Sequence, residues 1–71
     1  MEEVKIIGEY IQLNQLMKKL DWVMSGGEAK VMIEDGAVLV NGETAHEIRK
    51  KIRPGDIVRF QAHELTVSYG A

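Results

Sequence analysis

The 71-residue chain has no cysteine. No disulfide framework and no thiolate metal site can be built from it, and the composition suits a reducing compartment. It also lacks an apolar run of the ~20 residues that cross a bilayer, and it has no signal-peptide pattern at its start. The expected setting is therefore the cytoplasm, with no membrane partner. Combinations that carry chemistry are absent too. His46 and His63 stand far apart with no ligand spacing around them, so each reads as a surface or turn residue rather than a metal ligand. No Ser–His–acid order marks a nucleophile. Ser25-Gly26-Gly27 does not have the GxxxxGK[ST] spacing of a phosphate loop. Neither an enzyme, a metal nor a cofactor is expected.

A chain this short is one domain, 1–71, whose core supplies on the order of 3–5 kcal/mol. The formal net charge is −2, which argues mildly against a polyanionic partner, but the charge is unevenly placed. Residues 1–36 hold seven acidic residues and four lysines, a balance of −3, whereas residues 37–71 hold four acidic and five basic residues, a balance of +1. Four of those five cations lie between Arg49 and Arg53. The chain is acidic overall with one concentrated basic site.

The rest is organised around residues 25–43, SGGEAKVMIEDGAVLVNGE. Ser25 is a good helix N-cap, with Glu28 at the third position of a capping box. Ala29, Met32 and Ile33 follow at i, i+3, i+4, one apolar helical face. Gly36 fits the left-handed position past a helix end. Val38-Leu39-Val40 then reads as a strand, and Asn41-Gly42 is a strong two-residue hairpin signal.

On either side the pattern is simpler. Val4, Ile6 and Ile7 predict an opening strand, broken at Gly8, with Tyr10 and Ile11 leading into a first helix. That helix is marked by Leu13, Leu16, Met17 and Leu20 at i, i+3, i+4, i+7, with Lys18 and Lys19 off the stripe. Trp22 and Met24 are bulky for a connection and are expected to close the core between the helices. After the hairpin turn, Glu43-Thr44-Ala45 should return as a short strand. His46–Arg53 should lie on the surface, anchored by Ile48 and Ile52. Pro54-Gly55-Asp56 suits a type II turn. Ile57, Val58 and Phe60 make a strand, Ala62-His63 a further turn, and Leu65, Val67 and Tyr69 the buried side of a last strand. The fold class is α+β, with two adjacent helices packed on one face of a small, mostly antiparallel sheet.

The ordered set Leu13, Leu16, Met17; Ser25, Glu28, Ala29; Ile33; Gly36, Val38, Val40, Asn41, Gly42; Pro54, Gly55, Asp56 resembles the S-four RNA-binding domain, a family named after a small-subunit ribosomal protein. The resemblance covers about residues 12–60. The Ser-Gly-Gly-Glu-Ala-Lys form is similar to the short stand-alone bacterial members of the YaaA and YbcJ type. It implies the same two-helix α+β fold and a non-catalytic role on structured, ribosomal RNA, possibly in ribosome assembly. The RNA would lie over the two helices and the loop beside the second strand. Many members carry Arg directly after the capping serine; this chain has Gly26 there.

The residues themselves leave two readings of Arg49-Lys50-Lys51-x-Arg53: a solvated charge run, or a cluster whose mutual repulsion is offset by phosphate. The resemblance favours phosphate and adds Lys18, Lys19 and Lys30 from the helices, Lys30 best supported because it follows Glu-Ala. Gly26 and Gly27 leave a helix N-terminus unshielded, where backbone N–H groups can hold a phosphate; equally, they only shape the turn. Two other functions fit parts of the chain. One is a β-grasp sulfur carrier, against which stand the second capped helix and the ending Gly70-Ala71 instead of Gly-Gly. The other is a protein–protein adaptor using Glu2, Glu3 and Glu9. A protein partner beside RNA, and the oligomeric state, are left open by the residues.

Overall fold

The computed structural model describes residues 2–70. Met1 and Ala71 lie outside them, and with Ala71 the C-terminal position on which the sulfur-carrier reading turned. The elements run β1 (Glu2–Ile6), β2 (Ile11–Gln12), α1 (Leu13–Lys19), α2 (Gly26–Glu34), β3 (Val38–Val40), β4 (Glu43–Thr44), β5 (Lys51–Ile52), β6 (Ile57–Phe60) and β7 (His63–Tyr69). Five strands form one sheet in the order β1-β7-β6-β3-β4, antiparallel except for the parallel pair of β1 with β7. β2 and β5 make a separate antiparallel pair. The architecture is α+β, with two consecutive helices between β2 and β3, an order unlike the single-helix β-grasp.

Alternation in the strands sorts side chains between the faces. Val38, Val40, Val58, Phe60, Leu65 and Val67 are buried and share one core with Leu13, Leu16 and Met17 of α1 and Ala29 and Ile33 of α2. Ile57, Arg59 and Glu64 fall on the opposite, open face and are exposed.

Both helices end the same way. After α1 the Asp21 N–H donates to the Lys18 carbonyl and the Trp22 N–H to that of Met17; after α2 the Gly36 N–H donates to Ile33 and the Ala37 N–H to Met32. These are two Schellman motifs, each needing a left-handed residue. Gly36 takes that conformation freely at φ 77°, whereas Asp21 takes it at φ 58° with a side chain in place.

Several expectations need correction. The opening strand stops at Ile6, and Ile7 is 88% exposed, because the chain turns away towards Gly8 at φ 97°. Trp22 does close the core, packing 5.4 Å from Phe60 between ring centroids. Met24 does not and is 91% exposed. Val23 takes the interior place instead, since the α1 stop has already brought Trp22 back over Met17. The turn between β6 and β7 is Gln61-Ala62, one residue earlier than expected, because Phe60 pairs with His63. Tyr69 shares the inner face of β7 but is 61% exposed at the strand's end.

Candidate functional site

The two turn motifs meet in space. Asn41 has φ 52° and Gly42 φ 84°, the doubly left-handed pair of a type I′ hairpin. Gly55 at φ 97°, with the Asp56 N–H on the Arg53 carbonyl at 3.0 Å, closes the Pro54-Gly55 turn. The side chains then lock the turns together. The Asp56 carboxylate accepts from the Arg53 backbone N–H at 2.8 Å and from Asn41 Nδ2 at 3.0 Å. Asn41 Oδ1 accepts from the Ile57 N–H at 2.9 Å, and the Asn41 N–H donates to the Ile57 carbonyl at 2.8 Å. Asparagine suits this place: it tolerates the left-handed backbone and supplies both a donor and an acceptor.

This clasp fixes one end of the basic segment, and α1 fixes the other. The first turn of α1 has no side-chain cap. Its Leu13 and Asn14 N–H groups donate instead to the carbonyls of Lys50 at 2.9 Å and Ile48 at 3.1 Å. Tertiary structure thus supplies acceptors that a Ser or Asp would otherwise provide. Ile52 is fully buried and Ile48 half-buried. Pairing of Ile11 with Ile52 and Gln12 with Lys51 completes the attachment. The segment expected as a surface loop is therefore partly strand, β5.

On this frame Arg49, Lys51 and Arg53 are exposed, and Lys50 is half-buried. The Lys51 ammonium stands 5.0 Å from the centroid of the Tyr10 ring, a cation–π contact worth about 0.5–1 kcal/mol at an exposed site. Tyr10 was read only as a lead into the helix, and nothing local marks it as a neighbour of a residue 41 positions away. Beside the segment, Asn41, Glu43, Thr44, His46, Glu47 and Lys50 border a shallow groove of ≈ 230 Å³.

The other expected site residues are placed separately. Lys30 is exposed on α2. Lys18 and Lys19 are exposed in the last turn of α1, the end opposite to the one where the basic segment docks. Ser25 caps α2, its Oγ accepting from the Glu28 N–H at 3.2 Å; the Ala29 N–H goes to the Ser25 carbonyl. The orphan N–H groups of the first turn are those of Gly26 and Gly27. A Cβ at Gly26 would meet nothing within 4 Å, and one at Gly27 only the Ser25 hydroxyl at 3.9 Å. His46 and His63 are both exposed, and His63 lies against the Trp22 ring at 5.7 Å. Among the described residues no group of three or more His, Asp or Glu is arranged to hold a metal ion.

A family model described as "S4 domain" matches residues 4–68. The chain belongs to the S4 domain family. The match extends beyond residues 12–60 to take in most of β1 and β7, the parallel pair that sequence alone did not connect. Two curated relatives are each 36% identical to this chain over 58 residues. One is the Escherichia coli (strain K12) protein named "Putative RNA-binding protein YbcJ", with 82% of this chain and 83% of that protein covered. The other is the Bacillus subtilis (strain 168) protein named "Probable ribosome maturation protein RlbA", with 82% of each covered. Asn41, Gly42, Gly55 and Asp56, among the residues on which the sequence resemblance rests, are those that form the clasp.

Proposed function

We propose that this S4 domain is a non-catalytic RNA-binding module that recognises structured ribosomal RNA and acts in assembly or maturation of a ribosomal particle. The observation that carries the reading is a frame built to hold four cations within five residues. Clasp, strand pair and helix cap all converge on residues 48–56, although like charges there oppose one another. A phosphate backbone would offset that repulsion. The relatives' names, one citing RNA binding and the other ribosome maturation, point the same way.

Arg49, Lys50, Lys51 and Arg53 make the principal contact. Lys30, and at the far end of α1 Lys18 and Lys19, extend it across the helices, while the N–H groups of Gly26 and Gly27 take a phosphate in place of the missing arginine side chain. So small a surface reads shape and phosphates more than base edges.

The test uses Arg49→Glu with Arg53→Glu. Both side chains are exposed, and Arg53 supports the turn through its backbone. Filter binding to structured ribosomal RNA at low salt should show strong loss, with unchanged circular dichroism. If the folded variant binds as well as the parent, the basic run is only solvated charge, and the acidic adaptor reading moves ahead.

A further inference from the structure

The outer edge of the sheet is the strand β1. Among the described residues β1 has one neighbour, β7, on a single side. Which backbone groups face the open side follows from one hydrogen bond. The Gly70 N–H donates to the Ile6 carbonyl at 2.9 Å, so Ile6 directs its polar groups inward to β7. Alternation along a strand then turns Val4 inward as well, and turns the N–H and C=O groups of Glu3 and Lys5 outward. Glu3 and Lys5 are also the two charged side chains that β1 places on the open face of the sheet, both exposed, while Val4 and Ile6 point to the core face.

We propose that β1 pairs antiparallel with β1 of a second copy about a two-fold axis at Val4. In that register Glu3 of one copy stands opposite Lys5 of the other, twice. These are the residues whose backbone groups are free, so each of the two pairs exchanges both its N–H···O bonds and carries opposite charges on the same face. Val4 meets Val4 of the second copy as the non-hydrogen-bonded pair between them. Cross-strand opposite charges stabilise such a pair, and like charges oppose it. Shifting the axis to Glu3 or to Lys5 sets two glutamates or two lysines directly opposite each other. Charges on an edge strand usually prevent pairing; of the registers centred on Glu3, Val4 and Lys5, only the one at Val4 sets no like charges opposite each other. The interface is isologous, continues the sheet across both copies and keeps both helix layers on one face. β1 lies at the opposite edge of the sheet from β4, which leads into the basic segment, so the two cationic surfaces stand outward. Five-residue strands make a small contact, and association is weak, with a dissociation constant on the order of 0.1–1 mM, as for small transient interfaces.

Sedimentation of the RNA-free chain over a concentration series tests this, with folding followed by circular dichroism. The parent should dimerise, less so in 0.5 M salt. Lys5→Glu alone and Glu3→Lys alone should each weaken the dimer about tenfold or more. Two rescues are expected: the double variant Glu3→Lys with Lys5→Glu self-associates again, and an equimolar mixture of the two single variants forms heterodimers. A parent that stays monomeric at millimolar concentration overturns the proposal, as does a dimer indifferent to the single changes or folded variants that fail to recover on swapping.

Discussion

At the residue scale, a few single side chains hold the helix start and the turns in place. Ser25 caps α2 by accepting from the Glu28 N–H. Ser25→Ala should cost about 1 kcal/mol, which in a chain of this size lowers the melting temperature by roughly 4–8 °C. Fluorescence of Trp22, the one tryptophan, would follow it. Gly42→Val should cost more and disturb the β3–β4 register, because a β-branched residue at φ 84° is strained; thermal melting with amide spectra of Glu43 and Thr44 would show both effects. Asp56→Ala removes two acceptors of 2.8 and 3.0 Å. Hydrogen bonds to a charged group contribute about 1.5–3 kcal/mol each when well made; this site is exposed, so a total loss near 2 kcal/mol by denaturant titration is expected, with Asp56→Asn intermediate.

At the element scale, α1 and β5 stand or fall together. A seven-residue helix with no side-chain cap is too short to persist alone, and two of its orphan N–H groups are satisfied only while residues 48–50 are docked. The anchor is Ile52, fully buried beside the Ile11 pairing. Ile52→Ala should cost about 2–5 kcal/mol. It should also raise hydrogen exchange at the Leu13 and Asn14 amides more than at β6 and β7, which sit inside the five-stranded sheet. Equal acceleration everywhere would show that the attachment is no separate unit of stability. By contrast α2 carries its own stop and start, Ser25 before it and Gly36 after it, and was legible from those residues alone.

At the scale of the whole molecule, a net charge of −2 makes the long-range field unfavourable to a polyanion, so the proposed RNA binding has to come from the local surface. If four phosphates are neutralised, log K should fall with log salt at a slope of about −3, at 0.7–0.9 per phosphate. Arg49→Glu with Arg53→Glu should flatten that slope by about half. Glu2→Gln with Glu3→Gln should leave RNA affinity unchanged or slightly raised, since those carboxylates stand on the far edge of the sheet. Filter binding across a salt series reads the parent and both variants.

The sequence by itself determined the elements whose signals are local. The capped α2 and its glycine stop, the Asn41-Gly42 hairpin, the Pro54-Gly55 turn and the apolar stripe of α1 each rest on signals that lie within a single short segment of the chain. Backbone conformation and amphipathic burial are decided at that range. Tertiary structure decided what no local pattern encodes. The parallel pairing of β1 with β7 joins residues more than 60 apart. The Asn41–Asp56 clasp joins two turns through side chains 15 apart, and the capping of α1 comes from carbonyls that every residue possesses. Backbone acceptors carry no sequence signature, so the basic segment was visible as charge but not as a partly paired, helix-docked strand. Val23 rather than Met24 entered the core because the left-handed Asp21 set the direction of the chain, and aspartate marks that conformation far less clearly than glycine does.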